Sequence, residues 1–171
     1  MFAYIPNLLP KLYNNLLIIL KHISKKSPNK YCNLKFLDAG CGIGLTMLLA
    51  KNIRFKNMRI TDAHGIEIDE TLINTSKKLF TSSISKLAPN FKKHNYHIVQ
   101  NNILNFKYYD KYDIIYFYCP FDDTELETKF ENLVKDNMKM NKFIIGSNST
   151  CEDKRFLQLS RYNNVYQKIK T

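Results

Sequence analysis

Arginine is scarce in this sequence, although the overall charge is strongly basic. The 171 residues carry 26 Lys and Arg against 15 Asp and Glu, a formal net charge of +11, but the only arginines are Arg54, Arg59, Arg155 and Arg161. A protein that reads phosphates or guanines is expected to use arginine, because the planar guanidinium matches both groups. The diffuse lysine charge therefore leaves RNA or DNA as a possible partner without favouring it.

Paired cysteines and long apolar runs are also absent. Cys32, Cys41, Cys119 and Cys151 form no C-x-x-C pair, so their spacing indicates neither a metal site nor a disulfide framework. The longest apolar run near the start, residues 16–20, is too short to span a bilayer, and no signal-peptide cleavage pattern follows it. We therefore expect a cytoplasmic protein with no metal and no membrane partner.

Glycine is rare, and three of the five glycines stand close together. Gly40, Gly42 and Gly44 alternate directly behind Asp38 in the stretch KFLDAGCGIGL, which predicts a short strand, a tight loop and the start of a helix. Glycines at these positions let the backbone adopt positive φ and let a ligand approach the main chain. Ligands of α/β proteins bind beyond the carboxyl ends of parallel strands, so this loop is the candidate cradle for an adenosyl-type ligand.

The second candidate feature is the segment GIEID, residues 65–69. An acidic residue at the tip of the second strand, about 20 residues beyond a glycine loop, is placed to accept hydrogen bonds from both ribose hydroxyls. We predict this role for Glu67. The G-x-G-x-G spacing of the loop differs from the G-x-G-x-x-G of dinucleotide-binding proteins, which makes an NAD-linked oxidoreductase the weaker interpretation.

The segment DAGCGIG resembles the first motif, and GIEID the second motif, of the class I S-adenosylmethionine-dependent methyltransferases, which have a Rossmann-like fold. The resemblance implies that S-adenosylmethionine is the cofactor, that Asp38 and the loop backbone hold its methionyl end, and that Ile68 packs on its adenine. In that family an aspartate usually accepts the adenine amino proton where this chain has Asn102, whose uncharged oxygen would contribute nearer about 1 kcal/mol. The implied cofactor-binding residues are Asp38, Gly40, Cys41, Gly42, Gly44, Glu67, Ile68, Asn102, Ile103 and Tyr118.

The candidate catalytic residues follow the fourth predicted strand, residues 112–118. This nearly continuous apolar run is typical of a central parallel strand, and its carboxyl end is expected beside the glycine loop. Tyr118 and Asp122 would then border the transferred methyl group, where a hydroxyl or a carboxylate could orient an amine. We interpret the neighbouring Cys119 as a buried structural cysteine rather than a thiolate nucleophile.

The alternation of helices and strands predicts an α/β protein with a doubly wound, mostly parallel sheet. Apolar residues at three- and four-residue spacing near the start predict an amphipathic helix, and residues 155–160 and 165–170 predict a C-terminal antiparallel hairpin. We expect one domain over residues 1–171, in which residues 1–34 form an N-terminal helical cap on a Rossmann-like core of residues 35–171.

The sequence thus predicts methyl transfer from S-adenosylmethionine, with S-adenosylhomocysteine as the product, to a nucleophilic acceptor that it does not identify. That acceptor is a small molecule, a protein side chain or RNA. A sulfonium already carries a good leaving group, so the absence of a strong predicted base does not argue against transfer. The alternative function is a non-catalytic S-adenosylmethionine-binding module that regulates a partner protein.

Overall fold

The computed structural model of the protein describes residues 8–82, 96–146, 152–160 and 164–170. Helices and strands alternate through these ranges. The regular elements are α1 (Leu8–Lys26), β1 (Cys32–Ala39), α2 (Leu45–Asn52), β2 (Arg54–Phe55), β3 (Met58–Glu67), α3 (Glu70–Ser82), β4 (Tyr96–Gln100), β5 (Ile114–Tyr116), α4 (Thr124–Asn137), β6 (Phe143–Ile145), β7 (Phe156–Gln158) and β8 (Val165–Lys168).

The strands form one mostly parallel sheet in the order β2-β3-β1-β5-β6-β8-β7, and β4 also pairs with β3. Strand β8 runs antiparallel to β6, and β7 runs antiparallel to β8, so the predicted C-terminal hairpin is present. The chain moves outward from β1 through β3 to β4 and then returns to β5 on the other side of β1. This reversal creates a switch point between the carboxyl ends of β1 and β5, where open α/β sheets bind ligands.

Successive side chains of the central strands pack on opposite faces of the sheet. Phe36 of β1 belongs to the apolar cluster that includes α1 and α2, whereas Leu37 belongs to the cluster that includes α4. Ile114 and Ile115 of β5 divide between the same two clusters. Strands covered on both faces are apolar at nearly every position, and this pattern is the one that predicts central parallel strands in the sequence.

Helix α1 is held on the sheet by one buried face. Its buried residues are Leu12, Asn15, Leu16, Ile19, Leu20 and Ser24. Burying each of the apolar side chains contributes about 1.5 to 3 kcal/mol, so this face is enough to fix the helix. Asn15 is a polar side chain in the middle of that face, and only 3% of its surface is exposed.

The structure corrects some element boundaries. The basic connector after α2 contains a short strand, β2, which turns through Lys56 (φ 51°) and pairs antiparallel with the start of β3. Strand β5 is shorter than the predicted strand 112–118 and ends at Tyr116. Two residues are too few for a hydropathy period to reveal β2. Strand β5 ends at Tyr116 because its neighbour β6 ends at Ile145, and the N–H of Phe117 still donates to the Ile145 carbonyl at 3.2 Å.

Candidate functional site

The glycine loop between β1 and α2 is tied to the end of β3. The backbone N–H groups of Gly40 and Cys41 both donate to the carbonyl of Ile66, at 2.9 and 3.0 Å. Gly40, Gly42 and Gly44 have φ values of 90°, 53° and 82°, in the left-handed region that favours glycine. The alternating glycines are thus explained by backbone conformation, and the loop is fixed against the neighbouring strand.

Open space lies beside Gly42. A Cβ atom placed on Gly42 would meet no atom of the described residues within 4 Å. A Cβ on Gly40 would lie 4.0 Å from the Cβ of Pro120, which is ordinary van der Waals contact. The segment after β5 therefore borders the glycine loop, as the predicted topology requires, and the loop backbone at Gly42 is accessible to a ligand.

Glu67 joins the tip of β3 to the glycine loop. Its Oε2 accepts a hydrogen bond from the N–H of Gly42 at 2.8 Å. Its Oε1 accepts from the N–H groups of Ile68 and Asp69, at 2.8 and 2.9 Å. A carboxylate offers about four acceptor positions, so about one remains for a ligand hydroxyl in this arrangement. The two motifs found in the sequence are therefore in direct contact.

Asp38 lies at the end of β1 with only 2% of its surface exposed. Its carboxylate accepts a hydrogen bond from the hydroxyl of Thr46 in the first turn of α2. Burial raises the pKa of Asp38 to about 7, and the nearby charge of Glu67 acts in the same direction. Asp38 can therefore exchange a proton near neutral pH. A cation that binds beside it would lower its pKa and favour the ionised carboxylate. Thr46 is a site residue that the sequence reasoning missed.

Cys41 contributes its backbone, not its thiol, to the loop. Its side chain is buried in the apolar cluster beneath α1 and α2, and a Cβ on Gly65 would lie 2.4 Å from its sulfur. Burial raises the pKa of the Cys41 thiol, with Asp38 and Glu67 as further causes. A neutral, buried thiol is chemically inert. Gly65 has no side chain because Cys41 and Met47 occupy that volume.

The predicted adenine side is built from the ends of β3 and β4. Ile68 is 64% exposed, which leaves an apolar face available to a flat ring. Asn102 follows β4, and its Oδ1 already accepts from the N–H of Leu104 at 2.9 Å, where it caps a short helical turn. The side chain of Ile103 is buried, with 8% exposed. The oxygen predicted to receive the adenine amino group therefore already has one donor.

Tyr118 and Cys119 lie in the loop beyond β5. Tyr118 is 43% exposed. The interpretation of Cys119 as a buried cysteine is wrong: it is exposed and has a φ of 40°. The physical reason is that the strand ends at Tyr116, so the residues after it turn out of the sheet. Burial of its sulfur and the charge of Glu127 still raise the pKa of Cys119, so its thiol stays protonated. Asp122 is exposed just before α4.

A cavity of about 240 Å³ lies between α1 and the ends of β5 and β6. Lys11, Leu12 and Asn15 line it from α1, and Tyr116, Tyr118 and Ile145 line it from the sheet side. Oδ1 of Asn15 and the hydroxyl of Tyr116 are buried, and neither has a hydrogen-bond partner within the described residues. Tyr116 pairs in register with Asp38 across β1 and β5, so one residue that lines the cavity is the strand neighbour of Asp38. None of the described lining residues belongs to the glycine loop itself. Sequence reasoning named neither Asn15 nor Tyr116, although a polar residue on an apolar helix face was a visible signal.

A further hollow in the described ranges lies away from the glycine loop. A larger hollow of about 490 Å³ runs along α4 near Glu125 and Lys129, far in sequence from both motifs. No group of three or more His, Cys, Asp or Glu residues within 8–82, 96–146, 152–160 and 164–170 is arranged to hold a metal ion. In the same part of the chain, none of the helices combines the length and the apolar character needed to cross a membrane.

Comparison with known proteins identifies the family. A family model described as a methyltransferase domain matches residues 31–170. Among curated proteins, no match to the chain was found.

Solved structures with the same fold include YcgJ of Bacillus subtilis (17% identity, TM-score 0.51) and an S-adenosylmethionine-dependent methyltransferase of Clostridium acetobutylicum (14%, 0.52). In each of these pairs, 78% of this chain covers 49% of the other. The plantazolicin methyltransferase BamL, solved in complex with a triazolic desmethylPZN analogue and S-adenosylhomocysteine, has 20% identity and a TM-score of 0.56, with 82% of this chain covering 46% of that one. The chain thus spans about half the length of these structures. It belongs to the methyltransferase-domain family and has the Rossmann-like fold of class I S-adenosylmethionine-dependent methyltransferases.

Proposed function

We propose that this chain is an S-adenosylmethionine-dependent methyltransferase. The observation that carries the proposal is the hydrogen bond between Glu67 and Gly42, which brings both motifs together beside open space at the sheet's switch point. Membership of the methyltransferase-domain family supports the same function. The alternative of an NAD-linked oxidoreductase has no comparable support, since the loop spacing does not match a dinucleotide fingerprint.

The residues around the glycine loop fit the cofactor's chemical groups. Asp38 supplies a buried carboxylate for the cofactor's ammonium, and Glu67 has an acceptor position for a ribose hydroxyl. The exposed face of Ile68 suits the adenine ring, and Asn102 stands at the neighbouring strand end. Gly42 leaves the main chain uncovered between these groups. When bound, the cofactor supplies an activated methyl group whose carbon is attached to a positively charged sulfur.

The chain's own task in such a reaction is to hold the acceptor in line and to keep water away. Tyr118 lines the cavity next to the glycine loop and is the candidate for orienting the acceptor atom. Asp122 is the second candidate, but it is exposed and is not among the residues that line the cavity. We therefore assign the greater catalytic contribution to Tyr118.

A binding measurement and a turnover measurement together test this function. Calorimetric titration of the full chain with S-adenosylhomocysteine is expected to give saturable binding with a single site. Incubation with methyl-labelled S-adenosylmethionine and fractionated cell extract is expected to move label into an acceptor and to release S-adenosylhomocysteine. Failure of the chain to bind S-adenosylhomocysteine would refute the cofactor assignment. Binding without turnover in any fraction would instead support a non-catalytic module that regulates a partner protein.

The acceptor is proposed to be a small molecule rather than RNA or a protein side chain. The cavity lies between α1 and the ends of β5 and β6, with Tyr116 beside Asp38 in the sheet, and its volume is about 240 Å³. The scarcity of arginine gives nucleic acid no specific support, although the net charge of +11 would attract any polyanion. Label entering the low-molecular-weight fraction of the extract is the expected result.

A further inference from the structure

Two residues that line the cavity between α1 and the ends of β5 and β6 each carry a buried polar atom. Asn15 is 3% exposed and Tyr116 is 4% exposed, and both line the cavity. Oδ1 of Asn15 and the hydroxyl of Tyr116 have no hydrogen-bond partner within the part of the chain that the structure describes. Buried polar atoms of folded proteins are nearly always paired, so two orphaned atoms on opposite sides of one cavity need an explanation. A bound molecule that supplies the missing hydrogen-bond partners would explain both atoms.

The two unpaired atoms determine which hydrogen-bonding groups the ligand must carry. The amide oxygen of Asn15 can only accept, so it requires an N–H or O–H donor. Burial raises the pKa of Tyr116, with Asp38, Tyr118 and Cys119 as further causes, so its hydroxyl stays protonated and can donate as well as accept. A single hydroxyl group on the ligand satisfies both, since it donates to Asn15 and accepts from Tyr116.

The charge of the lining residues indicates which charge the ligand carries. Lys11 lines the cavity from the exposed side of α1, and no Asp or Glu is among the lining residues that the structure describes. A cationic ligand would meet like charge without a compensating carboxylate, whereas an anionic group could reach the Lys11 ammonium. Apolar walls are provided by Leu8, Leu12 and Ile145. The cavity therefore suits a molecule with an apolar body, a hydroxyl at one end and an anionic group at the other.

The volume limits the size of the molecule. An apolar protein cavity of about 150 Å³ is known to accept benzene, so a space of about 240 Å³ accommodates one substituted ring but not a nucleotide or a peptide.

We propose that this cavity binds the methyl acceptor, and that the acceptor is a small hydroxylated carboxylic acid whose hydroxyl is held between Asn15 and Tyr116. This inference rests on the proposed methyltransferase function. In the transfer, the hydroxyl oxygen forms a bond to the methyl carbon as the carbon–sulfur bond breaks, and the electron pair of that bond stays on sulfur. The hydroxyl proton passes to a water molecule beside the hydroxyl in the cavity and from there to solvent. Asn15 and Tyr116 act as positioning residues, because neither exchanges a proton in this step.

The test uses para-hydroxybenzoate as a probe, with benzoate and benzylamine as comparison compounds. Binding is measured by ligand-observed NMR on the full chain saturated with S-adenosylhomocysteine. We expect para-hydroxybenzoate to bind about fivefold more tightly than benzoate, which lacks the hydroxyl, and benzylamine not to compete. Equal affinity for all three compounds, or no binding of any, would overturn the proposal.

Two variants connect the binding to the orphaned atoms. Asn15→Leu and Tyr116→Phe are expected to remove the preference for para-hydroxybenzoate over benzoate. The matched controls Asn14→Leu and Tyr13→Phe change exposed residues of α1 and are expected to keep it. Because each test variant removes a buried polar atom that lacks a partner, its melting temperature is expected to equal or exceed that of the unaltered protein. A lowered melting temperature with an unchanged preference would mean that both groups are structural, and would refute the proposal.

Cofactor binding by the same variants tests the acceptor assignment independently of the methyltransferase function. Both are expected to bind S-adenosylhomocysteine with unchanged affinity, because the cavity is assigned to the acceptor. A loss of S-adenosylhomocysteine binding in Asn15→Leu or Tyr116→Phe would show that the cavity belongs to the cofactor site, which overturns the inference and leaves the methyltransferase function intact. If the unaltered protein does not bind S-adenosylhomocysteine at all, the proposed function itself fails.

Discussion

Glu67 and Gly42 are 25 positions apart in the chain, yet the carboxylate of Glu67 accepts a hydrogen bond from the Gly42 N–H at 2.8 Å. The contact links the loop after β1 to the tip of β3 and leaves the outer side of Gly42 open. The Glu67 side chain fixes the loop conformation, and the proposed function also assigns the ribose of the cofactor to it.

We predict that Glu67→Ala weakens S-adenosylhomocysteine binding by about 1 to 3 kcal/mol, because it removes a charged acceptor from the ligand and a partner from the Gly42 N–H. Calorimetric titration measures the change. The control is Glu70→Ala, which removes an exposed carboxylate three residues later, in the first turn of α3, and is expected to leave the affinity unchanged. An unaltered dissociation constant for Glu67→Ala would remove the ribose assignment.

We predict that Gly42→Val abolishes cofactor binding in a protein that stays folded. Gly42 has a φ of 53°, which a β-branched residue adopts only with strain, and the added side chain would enter the open space assigned to the ligand. Circular dichroism reports the fold, and the titration reports binding. Retained affinity would show that this loop is not the cradle.

Gly146→Ala is expected to affect the stability of the fold, whereas Gly42→Val is expected to affect cofactor binding. At this position φ is 110°, and an added Cβ would lie 1.8 Å from the carbonyl oxygen of Phe117. Because backbone atoms cannot move aside cheaply, we predict a large loss of stability, of the order of 3 kcal/mol or more, seen as a lower urea midpoint. A stable Gly146→Ala protein would contradict the packing described for the ends of β5 and β6.

The sequence was sufficient to predict the sheet and the two motifs, because each depends on local pattern. Alternating glycines behind Asp38 and an acidic residue at a strand tip are visible within a few residues. The hydrogen bond between Glu67 and Gly42 was not predictable, since spacing gives the strands but not the direction of a side chain. The unpaired atoms of Asn15 and Tyr116 became visible only when α1 was placed against the sheet.

Cys119 illustrates a different limit. The apolar run before it predicts a strand through Tyr118, and a cysteine directly after a central strand is usually buried. The backbone instead leaves the sheet after Tyr116, and Cys119 adopts a φ of 40° that exposes it. Where a buried strand ends depends on its hydrogen-bond partners in β1 and β6, which hydropathy does not report.

Lys168 provides a stability prediction outside the site. Its ammonium is buried, with 4% of the residue exposed, and donates to the carbonyls of Lys135 and Met138 at 2.7 and 2.9 Å, at the end of α4. Those carbonyls are the groups that a helix end leaves unpaired. We predict that Lys168→Met lowers the free energy of unfolding by about 1 to 3 kcal/mol, measured by urea denaturation. Lys170→Met, at an exposed position, is the control and is expected to have no effect; equal stability of the two variants would contradict this role for Lys168.

The pKa of Asp38 predicts how cofactor affinity depends on pH. Burial raises it to about 7, well above the ordinary value of 3.8, so the neutral form is stabilised in the free protein. The contribution of Asp38 to stability is therefore fully present below the unfolded pKa and is lost as pH rises through 7. A cationic ligand requires the ionised form of Asp38, so affinity should rise between about pH 5.5 and 7.5.

Ionisation of Cys41 or Tyr116 does not account for a change in affinity over this pH range. Cys41 and Tyr116 are both buried, and burial raises the pKa of each above its ordinary value, so neither ionises in that range. Asp38→Asn keeps the size and the acceptor oxygen for Thr46 but cannot ionise, so its affinity should be weaker and should no longer rise with pH below neutrality. Titrations with S-adenosylhomocysteine across this range measure both effects. If the unaltered protein binds S-adenosylhomocysteine equally well at about pH 5.5 and pH 7.5, Asp38 does not hold the ammonium. Its carboxylate then has only the structural role of accepting the hydrogen bond from Thr46.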